Sequence, residues 1–456
     1  MGIKIIPRSA SLLLDTTVFY ALFLFAFSIP IQARLFLGDF GMAVRGNEYM
    51  QAWLWGTDFL VVGIVVLSCM RGIRTRLDKN EHFTVFHALL FWFIFSVFSV
   101  AVAQNKFIGA WTILKYGECL VLFVALYSLS NKKTLGWIVY GLVAGGVFQS
   151  IVAFLQFRTQ HDIGLRFLGE SVLGPAVAGV AKMTIDGATL IRAYGTTPHA
   201  NILAGYLLLG LIGAATLLLL EFMSPLRNRA RQGIFAASFL LMACALILTG
   251  SRAVWFFGSV LVCGTVFFAV LRYGAGGQLW VRKETVVARW LGAIFTALLF
   301  SVIILFPVIG ARGHLERGEQ AIFLRALYMD AAEYLIVERP LSGVGAGAFV
   351  ENIFPKEGPK KAPWMYQPVH NIYALVAAES GIPSLVGFIL FMFFIAKRAL
   401  DTFKQRQELF FIAVGIGVFV LFAIGVTDHF LMTLQQGRLL LWSFLGLVAG
   451  YSKESV

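Results

Sequence analysis

The chain has 456 residues, of which 59% are hydrophobic, 14% aromatic and only 13% charged, and its mean hydropathy is +0.81. Soluble domains carry about 25% charged residues, so this composition excludes a soluble protein and predicts a polytopic membrane protein. The net charge of +13 would suggest nucleic-acid binding in a soluble protein, but here it fits the cationic bias of cytoplasmic loops. We therefore expect membrane lipids as partners and no nucleic acid.

The apolar runs are long and uninterrupted, which is typical of membrane-spanning helices and not of barrel strands, whose residues alternate between apolar and polar. They predict an all-α fold in which residues 1–456 form a single integral membrane domain. From run length we expect about twelve spans. These spans lie near residues 14–36, 52–70, 83–103, 107–130, 134–157, 199–222, 232–250, 253–272, 290–310, 371–396, 408–427 and 437–451.

Lysine and arginine in the short loops predict the orientation of these spans. One set of loops carries the cationic runs RGIRTRLDK, NKK, RNRAR, VRK and KRALDTFKQR. The opposite set carries only scattered cations, which are Arg34, Arg45, Lys106, Arg252 and Arg438. The first set is therefore expected in the cytoplasm, together with both chain termini.

Two long loops are predicted on the outer side, at residues 158–198 and 311–370. The second begins with LERGEQAIFLRALYMDAAEYLIVE, in which apolar residues recur at roughly helical spacing. Pro340 and the glycines of PLSGVGAGAF end this stretch. We expect the helix to lie across the outer face of the bundle as a lid.

Polar residues concentrate at four places on the predicted outer side. In IRAYGTTPHANILAGY, Arg192 precedes a Gly-Pro turn, after which His199 or Asn201 is expected to cap a helix. In LTGSRAVWFFG, Arg252 stands at a tight turn between two spans. The third place is HNIYAL, where His370 and Asn371 stand at the start of a helix.

The fourth place is the last outer loop, GVTDHFLMTLQQGR, which contains Asp428 and His429. These two residues either contribute to a site or bond to each other to fix the loop. Further from this side, Asp58, Lys115 and Glu118 fall inside apolar runs, where ionisable residues are functional candidates by default. An ion pair of Lys115 with Glu118 or with Asp58 is the simpler interpretation.

Arginine suits a phosphate ligand because its planar guanidinium group donates paired hydrogen bonds and stays charged. Arg192 and Arg252 meeting at one cavity would hold a diphosphate without a metal, and a helix N-terminus would add donors. His370 has the side chain best suited to take a proton from a hydroxyl near neutral pH. The alternatives are headgroup contacts for the arginines and structural or capping roles for His370, His199 and Asn201.

Four segments of the chain resemble the superfamily of O-antigen ligases and O-antigen polymerases, which are membrane glycosyltransferases of the C type. They are RAYGTTPHANILAGYL, LTGSRAVW, RPLSGVGAGAF and HNIYALVAAESGIPSLVGFIL, and they follow the family's order within about residues 190–390. One departure concerns His199, because Pro-His-Ala-Asn stands where the family often has Asn-Pro-Asn.

The resemblance implies an inverting glycosyltransferase of the bacterial cytoplasmic membrane that needs no metal or other cofactor and acts at the outer face. It implies an undecaprenyl-diphosphate-linked glycan as donor, and a glycan or a lipid-core sugar as acceptor. Carried over by motif, Arg192 and Arg252 would bind the diphosphate and His370 would activate the acceptor hydroxyl, with His199, Asn201 and Asn371 in support. Ligase and polymerase are not separated by these motifs.

A polytopic transporter or a flippase for lipid-linked oligosaccharides is the competing class, since about twelve spans with both termini inside is also a common carrier layout. Carriers usually show symmetry between their halves and helices that break at mid-membrane. No internal repeat is evident in this sequence, and its polar groups crowd one predicted boundary of the membrane. That distribution favours chemistry at one face.

Overall fold

The computed structural model describes residues 8–41, 46–72, 81–226, 228–273, 281–313, 320–353, 362–405 and 407–451. Within these ranges the chain is mainly helical, with two small sheets. The helices are α1 (Arg8–Ser28), α2 (Gly56–Arg71), α3 (Glu81–Ser99), α4 (Lys106–Leu129), α5 (Lys132–Thr159), α6 (Ala200–Met223), α7 (Arg229–Leu248), α8 (Arg252–Tyr273), α9 (Val281–Ile304), α10 (Phe306–Gly313), α11 (Gln320–Glu338), α12 (Phe349–Asn352), α13 (Ile372–Gln405), α14 (Leu409–Thr427), α15 (Phe430–Thr433) and α16 (Gln435–Gly450). The strands are β1 (Arg34–Asp39), β2 (Gln51–Trp55), β3 (Lys182–Ile185) and β4 (Ala188–Ile191).

In the described part of the chain, 8 helices are long and apolar enough to cross a membrane. Each provides the roughly 20 apolar residues that hydrocarbon thickness requires. The stretches concerned are Thr84–Val102, Lys106–Leu129, Lys132–Thr159, Ala200–Met223, Arg229–Leu248, Thr285–Ile304, Ile372–Gln405 and Leu409–Thr427. The prediction of a helical membrane protein is confirmed, whereas about twelve spans and cytoplasmic termini stay predictions.

The C-terminal end of the first predicted span and the N-terminal end of the second are wrong. The span at 14–36 ends early, because α1 stops at Ser28, two residues before Pro30, which cannot continue a helix. The chain then forms β1, and β1 pairs with β2 in an antiparallel hairpin, so the span at 52–70 starts as helix only at Gly56. Run length alone predicts helix here because both strands are rich in Leu, Phe and Trp.

The loop predicted at 158–198 contains a second hairpin, formed by β3 and β4. The helix predicted within 311–370 is present as α11, while its position as a lid stays a prediction. Its first residues, 315–319, lie outside the described residues, as does Arg45. The outer position of both loops stays a prediction.

Contacts divide the chain into two compact units. Unit 1 comprises Met1–Phe25, Ala33–Ile138 and Gly318–Val456, and unit 2 comprises Ala26–Gln32 and Val139–Arg317. Arg192, Arg252 and Arg312 therefore belong to unit 2, while His370 and Asp428 belong to unit 1.

Unit 1 has an aromatic core where α3, α4, α13 and α16 meet. The rings of Trp92 and Trp442 lie 5.3 Å apart, and Phe391 stacks on Trp442 at 5.8 Å. A Cβ on Gly387 would lie 2.8 Å from the backbone nitrogen of Trp92, so this glycine lets α13 approach α3 closely. Such close approach is how helices pack in lipid, where burial of apolar surface contributes little.

Unit 2 packs α5, α6 and α7 in the same manner. A Cβ on Gly210 of α6 would lie 2.9 Å from the sulfur of Met242 in α7, and a Cβ on Gly146 of α5 would overlap that same sulfur. The hydroxyl of Tyr206 donates to the carbonyl oxygen of Ala26 at 2.8 Å. Close packing at these glycines and the hydrogen bond of the Tyr206 hydroxyl therefore hold α5, α6 and α7 together.

The segment between α11 and α12 is bonded to a kink in α13. The kink lies at Gly381, whose φ is +84°, and Ile382 donates to the carbonyl oxygen of Pro340 at 2.7 Å. The carboxylate of Glu379 accepts the backbone N–H groups of Gly347 at 2.9 Å and Phe349 at 3.2 Å. The glycine-rich turn PLSGVGAGAF is therefore fastened to the helix that follows His370.

Candidate active site

In unit 2, the β3–β4 hairpin delivers Arg192 to a buried position. Asp186 and Gly187 at its turn both have positive φ, 49° and 81°, as a two-residue hairpin turn of the primed type requires. The backbone of Arg192 then continues the pairing by donating to the carbonyl oxygen of Ala181 at 3.1 Å. The residue is only 7% exposed, so its charge needs bonded partners.

Those partners fix the plane of the Arg192 guanidinium group. Its Nε donates to the carbonyl oxygen of Thr249 at 2.5 Å, just past the C-terminus of α7, where backbone carbonyls favour a cation. Its Nη2 donates to Oδ1 of Asn201 at 2.7 Å. Arg192 and Asn201, predicted as binding and supporting residues, are thus brought together.

The turn after Arg192 is held by two buried glutamines of α5. Oε1 of Gln156 accepts the backbone N–H of Gly195 at 2.8 Å, and Oε1 of Gln149 accepts that of Thr196 at 2.8 Å. His199 then caps α6, because its Nδ1 accepts the backbone N–H of Asn201 at 3.1 Å. Of the two capping candidates, the structure selects His199 and leaves the amide of Asn201 to Arg192.

The α7–α8 turn brings Arg252 to the same end of unit 2. Gly250 adopts a φ of +60°, which a glycine reaches without strain, and α8 begins at Arg252. Nε of Trp255 in α8 donates to the carbonyl oxygen of Leu246 in α7 at 3.0 Å, which fixes the angle of the turn. Arg252 is half-buried.

In unit 1, His370 stands just before α13, as predicted. Asn371 caps this helix, with its Oδ1 accepting the backbone N–H groups of Tyr373 at 2.9 Å and Ala374 at 3.0 Å. Asn371 therefore supports His370 by fixing the backbone beside it. Nδ1 of His370 is buried and has no hydrogen-bond partner in the described part of the chain.

Two rings lie against His370, and a third ring lies against one of these two. Tyr328 of α11 stacks on it, with centroids 6.0 Å apart and planes 8° apart. His429 meets it edge to face at 4.8 Å, and Tyr49 meets His429 in the same way at 5.3 Å. Nδ1 of His429 bonds to Oγ1 of Thr433 at 2.8 Å, so α15 orients that second imidazole.

Burial lowers the pKa of His370 from its ordinary value to about 4, and two charges adjust it. The carboxylate of Asp428 raises the pKa and the guanidinium of Arg325 lowers it. At neutral pH the imidazole is therefore uncharged and able to accept a proton. Burial also raises the pKa of Tyr328 to about 12, which keeps its phenol protonated.

The side chains around His370 are also close enough together to hold a metal ion. The three residues concerned are His370, Asp428 and His429. One ligand atom from each lies within 4.8 Å of the others, and no other such group occurs among the described residues. Two imidazoles and a carboxylate are ligand types that zinc accepts. The same set also suits proton transfer, in which the carboxylate stabilises an imidazolium.

Asp428 fixes the loop as well. Its Oδ1 accepts the backbone N–H of His429 at 2.9 Å, so one of the two predicted roles is present as a side-chain-to-backbone bond. Its carboxylate also raises the pKa of His370, and a contribution of Asp428 to a site stays a prediction.

Sequence reasoning missed Arg325, Tyr328 and Arg312. Arg325 and Tyr328 are three residues apart in α11, a spacing that puts side chains on one helix face. That signal was available in the predicted lid helix, but nothing in the sequence pairs this face with His370. Arg312 lies in α10 and donates from Nε to the carbonyl oxygen of Gly250 at 3.3 Å.

The buried Lys115 and the half-buried Asp58 and Glu118 of unit 1 form a single network rather than one of the two predicted pairs. Nζ of Lys115 lies 2.7 Å from Asp58 and 2.8 Å from Glu118. Nε2 of Gln435 donates to both carboxylates, at 2.6 Å and 3.0 Å. The network ties α2, α4 and α16 together.

Comparison with known families agrees with the resemblance. Residues 237–389, about a third of the chain, match the family described as O-antigen ligase. The matched segment contains Arg252, Arg312, Arg325 and His370. Among curated proteins, none matches the chain.

Proposed function

We propose that this chain belongs to the O-antigen ligase and polymerase superfamily and moves a glycan from an undecaprenyl-diphosphate carrier to an acceptor hydroxyl. The reaction takes place at the outer face of the bacterial cytoplasmic membrane. The observation that carries the proposal is the buried Nδ1 of His370, which has no hydrogen-bond partner in the described part of the chain. A polar atom in that position is costly to leave unpaired, and an acceptor hydroxyl would satisfy it.

In the proposed reaction His370 is the general base. The acceptor oxygen forms a bond to the anomeric carbon of the donor sugar while its proton passes to the imidazole. The bond from that carbon to the diphosphate oxygen breaks, and its electron pair leaves with the diphosphate. One displacement of this kind inverts the anomeric centre and needs no metal.

Asp428 would stabilise the imidazolium that forms. Its carboxylate already favours the charged form of His370, in the way a buried carboxylate assists a catalytic histidine. Tyr328 and His429 would hold the ring in one plane through their contacts at 6.0 and 4.8 Å.

Arg192 and Arg252 would bind the donor diphosphate. The carbonyl and amide bonds of Arg192 fix its orientation before the ligand arrives, and preorganised donors act most strongly on charge that develops in the transition state. Arg325 contributes a positive charge near His370. His199 would act by capping α6. Asn201 would act by accepting a hydrogen bond from Arg192.

The test is glycan transfer by purified protein with a lipid-diphosphate donor and a panel of acceptors. We expect His370→Ala to lower turnover by about 10²–10⁴-fold, the usual contribution of a general base, with donor binding retained. Arg252→Ala and Arg252→Lys should both lose activity, because an ammonium group lacks the paired donors. His161→Ala and Arg166→Ala, at exposed positions of unit 2, are the matched controls.

The products separate the remaining alternatives. A ladder of products indicates a polymerase, and a single addition to a lipid-core acceptor indicates a ligase. Donor that crosses a liposome membrane unchanged, with no product, would indicate a flippase instead. Near-normal transfer by both His370→Ala and Arg252→Ala would refute the mechanism.

A further inference from the structure

Helix α11 carries a row of exposed apolar side chains along one side. They recur, together with one acidic residue, at intervals of three or four residues, which puts them on one face of the helix. They are Phe323, Leu327, Tyr334 and Val337, with Leu341 just after the helix, and they are 63%, 40%, 67%, 80% and 74% exposed. We call these five residues the α11 stripe. Exposed apolar surface of this extent marks a contact with another apolar surface.

The opposite face of α11 is the one that packs into unit 1. Tyr328, Ala332 and Leu335 on that face are no more than 4% exposed, and the helix lies against α13. Tyr328 and its neighbours therefore hold α11 in unit 1, while the α11 stripe points away from this contact.

Exposed apolar residues with the same spacing continue along α13. Ile382, Val386, Ile389 and Phe393 are 43%, 46%, 46% and 57% exposed. Because α13 is one of the helices long and apolar enough to cross a membrane, these side chains face lipid.

The end of the α11 stripe is fastened to the start of this lipid-facing row. The backbone N–H of Ile382 donates to the carbonyl oxygen of Pro340 at 2.7 Å. The backbone of Leu341 lies so close to Gly381 that a Cβ on this glycine would overlap the carbonyl oxygen of Leu341. The two rows therefore follow one another on the surface of unit 1, and the lipid that covers the second row is next to the first.

The charges of α11 indicate a position at the membrane boundary. The helix has 19 residues, but it is not among the helices in the described part of the chain whose length and hydropathy suit a span. Asp330, Glu333 and Glu338 are exposed along it, and carboxylates are costly inside hydrocarbon. A helix with exposed apolar residues and exposed charges lies in the interface, with its apolar side chains about 5–10 Å into the lipid.

We infer that the α11 stripe is inserted among the acyl chains of the bilayer, so that α11 is a helix docked on the membrane and not a lid over the outer face. The same helix carries Tyr328, which stacks on His370 at 6.0 Å. Docking of α11 would therefore hold the proposed base at a fixed height above the lipid, a consequence that rests on the proposed function.

The test measures the surroundings of single spin labels on the full chain in lipid nanodiscs without donor. The two exposed cysteines are first removed by Cys69→Ala and Cys263→Ala, and the other two are buried. Labels are then attached to Val337→Cys or Tyr334→Cys, and Leu341→Cys replaces either variant if it does not elute as a monodisperse species. The relaxing agents are molecular oxygen, which concentrates in lipid, and nickel(II) ethylenediaminediacetate, which stays in water.

Two reference positions on α13 define lipid and water. Phe393→Cys lies in the lipid-facing row, and Lys404→Cys is exposed at the end of the helix. We expect oxygen to relax the labels at Val337 and Tyr334 more than the nickel complex does, as at Phe393, with the reverse order at Lys404.

Three results would overturn the inference. Relaxation at the α11 stripe like that at Lys404 would place it in water. Protection from both agents would mean that protein covers it, for example a second copy of the chain. Lipid-like relaxation that appears only after undecaprenyl diphosphate is added would assign the stripe to the isoprenoid chain of the donor and not to the bilayer.

Transfer by Val337→Asp tests the consequence for the site. The added charge opposes insertion, and a shift of the base by about 1 Å can lower the rate by about 10²-fold, so we expect a loss of transfer in nanodiscs. Lys404→Asp, which places the same charge at the end of α13, should transfer like wild type. Unchanged transfer by Val337→Asp would refute the link between docking and the site. If wild type shows no transfer, the proposed function fails, and the spin labels still decide whether α11 docks on the bilayer.

Discussion

The phenol ring of Tyr328 lies nearly parallel to the imidazole of His370, with centroids 6.0 Å apart. The hydroxyl of Tyr328 donates to the carbonyl oxygen of Met365, so α11 is bonded to the short segment that leads to His370. Through this stack the predicted lid helix sets the plane of the proposed base.

Tyr328→Ala should lower transfer, while Tyr328→Phe should retain most of it. Alanine removes the stacked ring, and a misplaced base loses rate steeply; phenylalanine keeps the ring and removes only one hydrogen bond, which contributes about 0.5–1.5 kcal/mol. The measurement is kcat for both variants beside their thermal midpoints. Equal activity of the two variants would show that stacking does not position His370.

The pH dependence of kcat/KM should follow the lowered pKa of His370. Only the neutral imidazole accepts a proton, so activity is retained at neutral pH and is lost as the pH falls through about 4, well below the ordinary histidine value of about 6.5. Asp428→Asn should move this acid limb to lower pH, because the carboxylate raises the pKa of His370. Arg325→Gln should move it to higher pH, because the guanidinium lowers that pKa.

The two opposite shifts are the check on this assignment. Activity is measured after a brief exposure to each pH, and recovery at neutral pH controls for acid unfolding. An acid limb near the ordinary histidine value, unmoved in both variants, would contradict the assignment of His370 as the base.

Chelation should leave transfer unchanged. The group His370, Asp428 and His429 has ligand atoms within 4.8 Å of one another, so any essential metal is expected there. Transfer is assayed after dialysis against EDTA, with the metal content of the protein measured in parallel. Activity that disappears with EDTA and returns with zinc, but not in His429→Ala, would replace the base mechanism by metal-assisted activation.

Gly381→Ala should destabilise unit 1. The φ of Gly381 is +84°, and a Cβ there would overlap the carbonyl oxygen of Leu341; backbone strain of this kind costs about 1–3 kcal/mol. Gly415→Ala in α14 is the control, because no atom lies within 4 Å of its Cβ position. Thermal midpoints in detergent should fall for Gly381→Ala only, and equal midpoints would refute the packing argument.

Lys115→Met should be strongly destabilising. It removes the cation between Asp58 and Glu118, which lie 2.7 and 2.8 Å away, and an uncompensated buried charge costs about 3–5 kcal/mol. Adding Asp58→Asn and Glu118→Gln to Lys115→Met should recover part of the loss. The thermal midpoints of the single and triple variants test this, and an unaffected single variant would mean that the network is not structurally important.

The sequence by itself determined the membrane class, the positions of most helices and the resemblance to O-antigen ligases. These features follow from local composition, because lipid leaves the backbone groups of each span no partners except one another. The cap at Asn371 and the end of α11 after Glu338 also follow from local sequence. In each case a few adjacent residues determine where the helix begins or ends.

Only the tertiary structure decided which side chains meet. Tyr328 and His429 reach His370 from segments far apart in the chain, and Arg312 reaches the turn of Arg192 across more than a hundred residues; no local pattern encodes such pairs. The hairpin of β1 and β2 was missed for a related reason. Short strands rich in apolar residues have the composition of a helix end, and only their pairing partner makes them strands.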